Sequence, residues 1–141
     1  MKAQNSNGAC KQVINNAKTR LQRSAKSSLV VSIKNAAHDY PDAPVNRKRV
    51  IVFYLDYFKD PRPQVRVGIQ NILQSPQLIK SISQNIISKC ASTGAVYFGS
   101  TFQAGCPVYL GLMRNGTIEI FEPIVPGELS REIKWGENYC Y

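Results

Sequence analysis

Acidic side chains are missing from the front of this chain. The first thirty-eight residues hold no Asp or Glu, while Lys2, Lys11, Lys18, Arg20, Arg23, Lys26 and Lys34 place seven positive charges there. Histidine occurs once (His38), tryptophan once (Trp135), and no two cysteines stand at C-x-x-C spacing. A lone histidine with scattered cysteines predicts no structural zinc site. No apolar run approaches the roughly eighteen residues needed to cross a bilayer. The stretch after Met1-Lys2 is polar (Gln4-Asn5-Ser6-Asn7-Gly8) and has no apolar signal segment. It predicts either an intracellular chain or a mature segment carrying an added Met in place of its leader. No internal repeat or low-complexity tract occurs.

Catalytic signatures are equally scarce. There is no G-x-S-x-G nucleophile context, and Gly94-Ala-Val-Tyr-Phe-Gly99 lacks the lysine and the following helix of a phosphate loop. It reads more simply as a strand between turns. His38-Asp39 offers a base and an orienter for a nucleophile, but adjacent residues in a strand point to opposite faces. A single histidine in a Pro-containing loop is better read as a surface residue. No zinc-finger, RNP-type or helix-turn-helix signature marks a nucleic-acid reader.

What is present is enough for one globular domain. The chain has 141 residues, 43% of them hydrophobic and 9% aromatic, which suits a folded core. The net charge of +9 is uneven: from Thr101 to Tyr141 three basic residues face five glutamates. Cys10, Cys90, Cys106 and Cys140 are even in number and spread from end to end. Two disulfides are the expectation, with any of three pairings, and they favour an extracytoplasmic or secreted setting over the cytoplasm. Four buried thiols are the alternative.

Residues 1–8 read as a flexible tail, and 9–141 as a single domain. From Ala9 the apolar residues Cys10, Val13, Ile14, Ala17, Leu21 and Ala25 recur at helical spacing, with Lys11, Lys18 and Lys26 opposite. Leu29 to Ile33 reads as a strand, and 38–46 as a loop broken by Pro41 and Pro44. Arg49 to Phe58 is apolar on both faces, as in a central strand covered on both sides. Asp60-Pro61-Arg62-Pro63 predicts a turn, and the alternation Gln64-Val65-Arg66-Val67 a short returning strand. Ser75-Pro76 opens a second helix that ends near Gly94. Strands follow at 95–102, 108–113 and 117–121, the last two joined through Arg114-Asn115-Gly116 as a type I′ hairpin. The expected fold is α+β: a mainly antiparallel sheet of about five strands with two helices packed on it.

The candidate binding residues are cationic: Lys11, Lys18, Arg20, Arg23 and Lys26 on the first helix, and Arg47, Lys48 and Arg49 before the central strand. Brought together they would neutralise the charges of an anionic partner, whether an acidic protein, a polysaccharide, lipid head groups or nucleic acid. Tyr54, Tyr57, Tyr97 and Tyr109 are available for stacking, although a sheet core uses the same residues. A hydrolase or nuclease built on Asp56 with Glu119 or Glu122 is the rival expectation, with Arg66 as an ion-pair partner that would make Asp56 structural instead. A structural or assembly subunit is a third. Asn115-Gly116-Thr117 matches a glycosylation acceptor, and the hairpin accounts for the same residues. Trp135, Tyr139 and Tyr141 are expected to fold back over the sheet. The leading expectation is a non-catalytic binding domain without metal or cofactor.

Overall fold

A strand that is apolar on both faces needs a layer on each side, and the whole architecture follows from that need. The computed structural model describes residues 2–25, 30–37, 40–56, 63–100, 107–125, 127 and 131–139. The elements run α1 (Lys2–Ala25), β1 (Val30–Ala37), β2 (Arg49–Asp56), α2 (Pro63–Leu73), α3 (Pro76–Lys89), β3 (Thr93–Gly99), β4 (Val108–Leu112), β5 (Ile118–Ile120), β6 (Glu122–Ile124) and β7 (Glu137–Tyr139). The main sheet has five strands in the order β1-β2-β3-β4-β5, and β6 pairs with β7 in a small second sheet.

The sheet is mixed rather than purely antiparallel. β1 with β2, β3 with β4, and β4 with β5 are antiparallel, but β2 and β3 run parallel. Parallel neighbours require a crossover, and α2 with α3 supply it. The expected returning strand at 64–67 is therefore a helix. Four alternating residues gave the period of a strand, but Val65, Ile69 and Ile72 continue at helical spacing and Pro63 opens the segment. Ile69 and Ile72 are buried, whereas Val67 is half exposed. Three helices, not two, pack on the sheet, and α1 starts at Lys2, inside the stretch expected as a tail.

β2 divides its side chains as its sequence implies. Ile51, Phe53 and Leu55 face the helices and join Val96, Phe98 and Leu110 with Leu21, Ile72, Ile79, Ile82 and Ile86 in one aliphatic core. The Phe53 and Phe98 rings stack there with centroids 5.4 Å apart. Each fully buried side chain of this size contributes about 1.5–3 kcal/mol. Val50 and Val52 face the other way, toward Ala95, Tyr40, Tyr109 and Phe121. That second core is aromatic and is covered by the irregular segments 40–46 and 131–136, the latter leading into β7, instead of by helices.

Two boundaries differ in detail. Ser75 precedes α3 but makes no side-chain cap, so Pro76 alone marks the start; the helix ends at Cys90, whose N–H returns to the Ile86 carbonyl. In the β4–β5 hairpin only Gly116 has a positive φ, at 87°. A type I′ turn needs two such residues. Instead Gly116 N–H donates to the Met113 carbonyl at 2.9 Å and Met113 N–H to the Thr117 carbonyl at 2.7 Å, the pattern of a three-residue loop with a glycine bulge. Asn115 Oδ1 accepts from Thr117 N–H at 3.1 Å and from its hydroxyl at 2.7 Å. These bonds account for Asn, Gly and Thr at the tip.

Candidate anion-binding surface

Sequence spacing alone decides how the basic residues lie on α1. At about 100° per residue, Lys18 returns to the face of Lys11, while Arg20 lies about half a turn of the helix from Lys11. The cations thus occupy both flanks and the outer side of α1, not one stripe. Arg20 reaches α3, donating to Ser81 Oγ at 3.0 Å. Near the start of α1, Cys10 is bonded to Cys90 with Cα atoms 4.8 Å apart. Cys10 with Cys90 and Arg20 with Ser81 make α1 and α3 antiparallel. Lys26 lies outside the described residues, as do Cys106 and Cys140.

The disulfide gathers part of the expected site. Lys11 follows Cys10 and Lys89 precedes Cys90, so the two residues flank the disulfide in sequence, and both are exposed. Arg49 is beside them, because its N–H donates to the Ser92 carbonyl at 3.0 Å. Arg47 belongs to the interior of this junction. Its guanidinium donates to the Ile87 carbonyl at 2.8 Å, the Thr93 carbonyl at 2.9 Å and the Cys90 carbonyl at 3.4 Å. It satisfies carbonyls left open where α3 ends, a structural task. Lys48 turns toward the Ala43 carbonyl at 3.3 Å.

Helices α2 and α3 add Arg66, Lys80 and Lys89, which sequence reasoning did not place with the other cations. The three helices carry Lys2, Lys11, Lys18, Arg20, Arg23, Arg66, Lys80 and Lys89 and not one Asp or Glu. The absence of carboxylates from 63–89 was readable in the sequence; the strand assignment at 64–67 concealed it. Lys80 lies 3.9 Å from Glu119, and both side chains are about half exposed, so the pair is weak. Among the described residues no carboxylate pairs with Lys11, Lys18, Arg23, Arg49 or Lys89.

Two carboxylates, Asp42 and Glu137, belong to the other side of the sheet. Asp42 accepts the Trp135 N–H at 3.0 Å, and Glu137 takes both ends of the Arg131 guanidinium at 2.8 and 2.7 Å. That bond, with the Lys134 N–H as a second donor, lowers the Glu137 carboxyl to about 2. Trp135 folds back as expected, donating Nε1–H to the Leu112 carbonyl at 2.9 Å and packing on Tyr40 and Phe121. Tyr54, Tyr97 and Tyr109 also belong to this side, meeting edge to face at 6.2 and 5.8 Å. Burial and the neighbouring Tyr54 push the Tyr97 hydroxyl up from its ordinary value. The stacking residues and the helical cations therefore lie on opposite faces of the sheet. Tyr57 and His38-Asp39 are outside the described residues.

The register separates the carboxylates proposed for catalysis. Glu119 pairs with Gly111, which pairs with Ala95, level with Val50 of β2. Asp56 is six residues further along β2, about 20 Å, and β5 is three strands away, about 14 Å. Glu122, beyond the end of β5, lies no nearer in strand order. Asp56 thus does not share a pocket with Glu119. Among the described residues no cluster of His, Cys, Asp and Glu could hold a metal ion, and no helix is long and apolar enough to cross a membrane.

Comparison with known proteins adds nothing to this geometry: no family, no curated protein and no solved structure matches the chain.

Proposed function

We propose that this protein is a non-catalytic binding domain whose three-helix layer engages an anionic partner. One observation carries the reading: every charged residue on α1, α2 and α3 is Lys or Arg. A surface of one sign has a cost in self-repulsion and draws counterions or polyanions to it. The contact residues are Lys11, Lys18, Arg23 and Lys89, with Arg49 at the disulfide end and Arg20 as a side contact. Arg47 is left out because its donors are used inside the fold. The Cys10–Cys90 bond favours an exported protein, since such bonds persist in oxidising compartments.

Retention on heparin and on phosphocellulose tests the reading. Wild-type protein should hold well above physiological salt on both matrices. A quadruple variant with Lys11, Lys18, Arg23 and Lys89 changed to Gln should elute in the wash. Early elution of the wild type from both would refute the proposal.

A further inference from the structure

We infer that the partner of this layer is the phosphate backbone of a nucleic acid duplex, an inference that rests on the binding function proposed above. The case comes from what accompanies the cations. Most exposed uncharged residues of the helices are amides and hydroxyls, among them Gln12, Asn15, Asn16, Thr19, Gln84 and Asn85. Such groups, with Lys and Arg, make most contacts to phosphate oxygens.

What the layer lacks decides among partners. None of the three helices contains Phe, Trp or Tyr. Single strands are held by bases stacked on aromatic rings, and here the tyrosines sit across the sheet. A protein interface relies on a central apolar or aromatic anchor. Among the described residues Val67 is the one large apolar side chain exposed on the helices. Surface attachment to a bilayer uses an apolar face that enters the lipid, and α1 turns its apolar residues inward against the core. A duplex asks for none of these things. It presents one charge per roughly 1.7 Å of its axis. Lys11 and Lys18, seven residues apart on one face of α1, span about 10 Å, a length over which a duplex offers about six phosphates. The contact is to backbone and shape, so it is indifferent to base sequence.

Fluorescence anisotropy with the intact, oxidised protein tests this. The probes are a mixed-sequence DNA duplex, either of its strands alone, a heparin fragment of equal charge, and anionic phospholipid vesicles, each over a salt series. With about four phosphates neutralised, duplex affinity should fall about a hundredfold between 50 and 200 mM salt. Each of Lys11→Gln, Lys18→Gln, Arg23→Gln and Lys89→Gln should lower the salt slope by about one unit at unchanged melting temperature. Lys134→Gln, on the other side of the sheet, should leave it unaltered. Two unrelated duplex sequences should bind equally. Stronger binding of the single strand, the heparin or the vesicles overturns the duplex assignment and leaves the anion-binding reading in place. Absence of binding to every probe overturns both.

Discussion

The two faces of the central sheet are covered by different means. On one side three helices bury Ile, Leu and Phe in an aliphatic core, carry only positive charge outside, and are fastened by one covalent bond. On the other side irregular chain is laid over aromatic rings and held by hydrogen bonds that Tyr40 and Trp135 donate and that Glu137 and Asp42 accept. Helices satisfy their own backbone and can cover a sheet with apolar side chains alone. Irregular chain cannot, so its cover needs polar ties, and acidic groups are useful there as acceptors. Segregation of charge follows from that division of labour. The helices themselves carry no carboxylate, and Glu119 of β5 reaches Lys80 of α3 only as a weak, half-exposed pair.

The largest break in this comparison is at the disulfide. It closes a loop across 80 residues of sequence, worth about 4 kcal/mol if both cysteines become serine. Chemical denaturation should show the unfolding free energy falling by that amount, seen as a lower midpoint. α1 should loosen first, because only Ala17 and Leu21 among its described side chains are fully buried. An unchanged midpoint would mean that apolar packing alone holds α1.

Next is Arg47. Replacing it with Gln removes charge-assisted donors from the Ile87 and Thr93 carbonyls, an expected loss of about 3 kcal/mol in thermal or urea unfolding. Its effect on heparin retention should be no larger than that loss of stability explains. A large drop in retention with stability intact would return Arg47 to the binding surface.

Gly111→Ala attacks the aromatic side only. An added Cβ would stand 2.5 Å from a Phe121 ring carbon and 2.9 Å from Trp135. The rings must move, at about 2 kcal/mol. Emission from Trp135, the single tryptophan, should shift while duplex or heparin affinity stays the same. Loss of affinity would show that the two sides are coupled through the sheet.

How much of this was legible beforehand depended on the range of the signal. β2 declared itself, because six consecutive apolar residues, Val50 to Leu55, apolar on both faces, admit few other placements. The hairpin and the start of α3 were marked by local residues, Asn115-Gly116 and Ser75-Pro76. What failed was short or distant information. Four residues, Gln64 to Val67, fit two periods at once, and misreading them hid both the crossover and the parallel pairing of β2 with β3. The basic residues were visible one by one. That Arg47 points inward depends on where α3 ends and β3 begins, and that residues 11 and 89 are neighbours depends on Cys10 meeting Cys90, a contact that four cysteines with three possible pairings do not specify. The absence of carboxylates from 63–89 was readable, its helical setting was not, and the proposed function rests on the two together.

The smallest effect expected is in pH, and it belongs to the aromatic side alone. Arg131 holds the Glu137 carboxyl at about 2, below its ordinary 4.5. The folded form therefore resists a proton that the unfolded chain accepts. The stabilisation is complete above the unfolded value and disappears as pH falls through about 2. Because the pair is exposed it is screened by water and weakened by salt. Melting followed by Trp135 emission from pH 5 to pH 2 should show wild type and Glu137→Gln converging as the pH drops, with the gap at pH 5 reduced in high salt. The disulfide, indifferent to both variables, should keep the helical side unaffected over the same range. If Glu137→Gln melts with the wild-type pH dependence, the Arg131 pair is no tie at all, and the cover depends on Asp42 and the ring contacts of Tyr40 and Trp135.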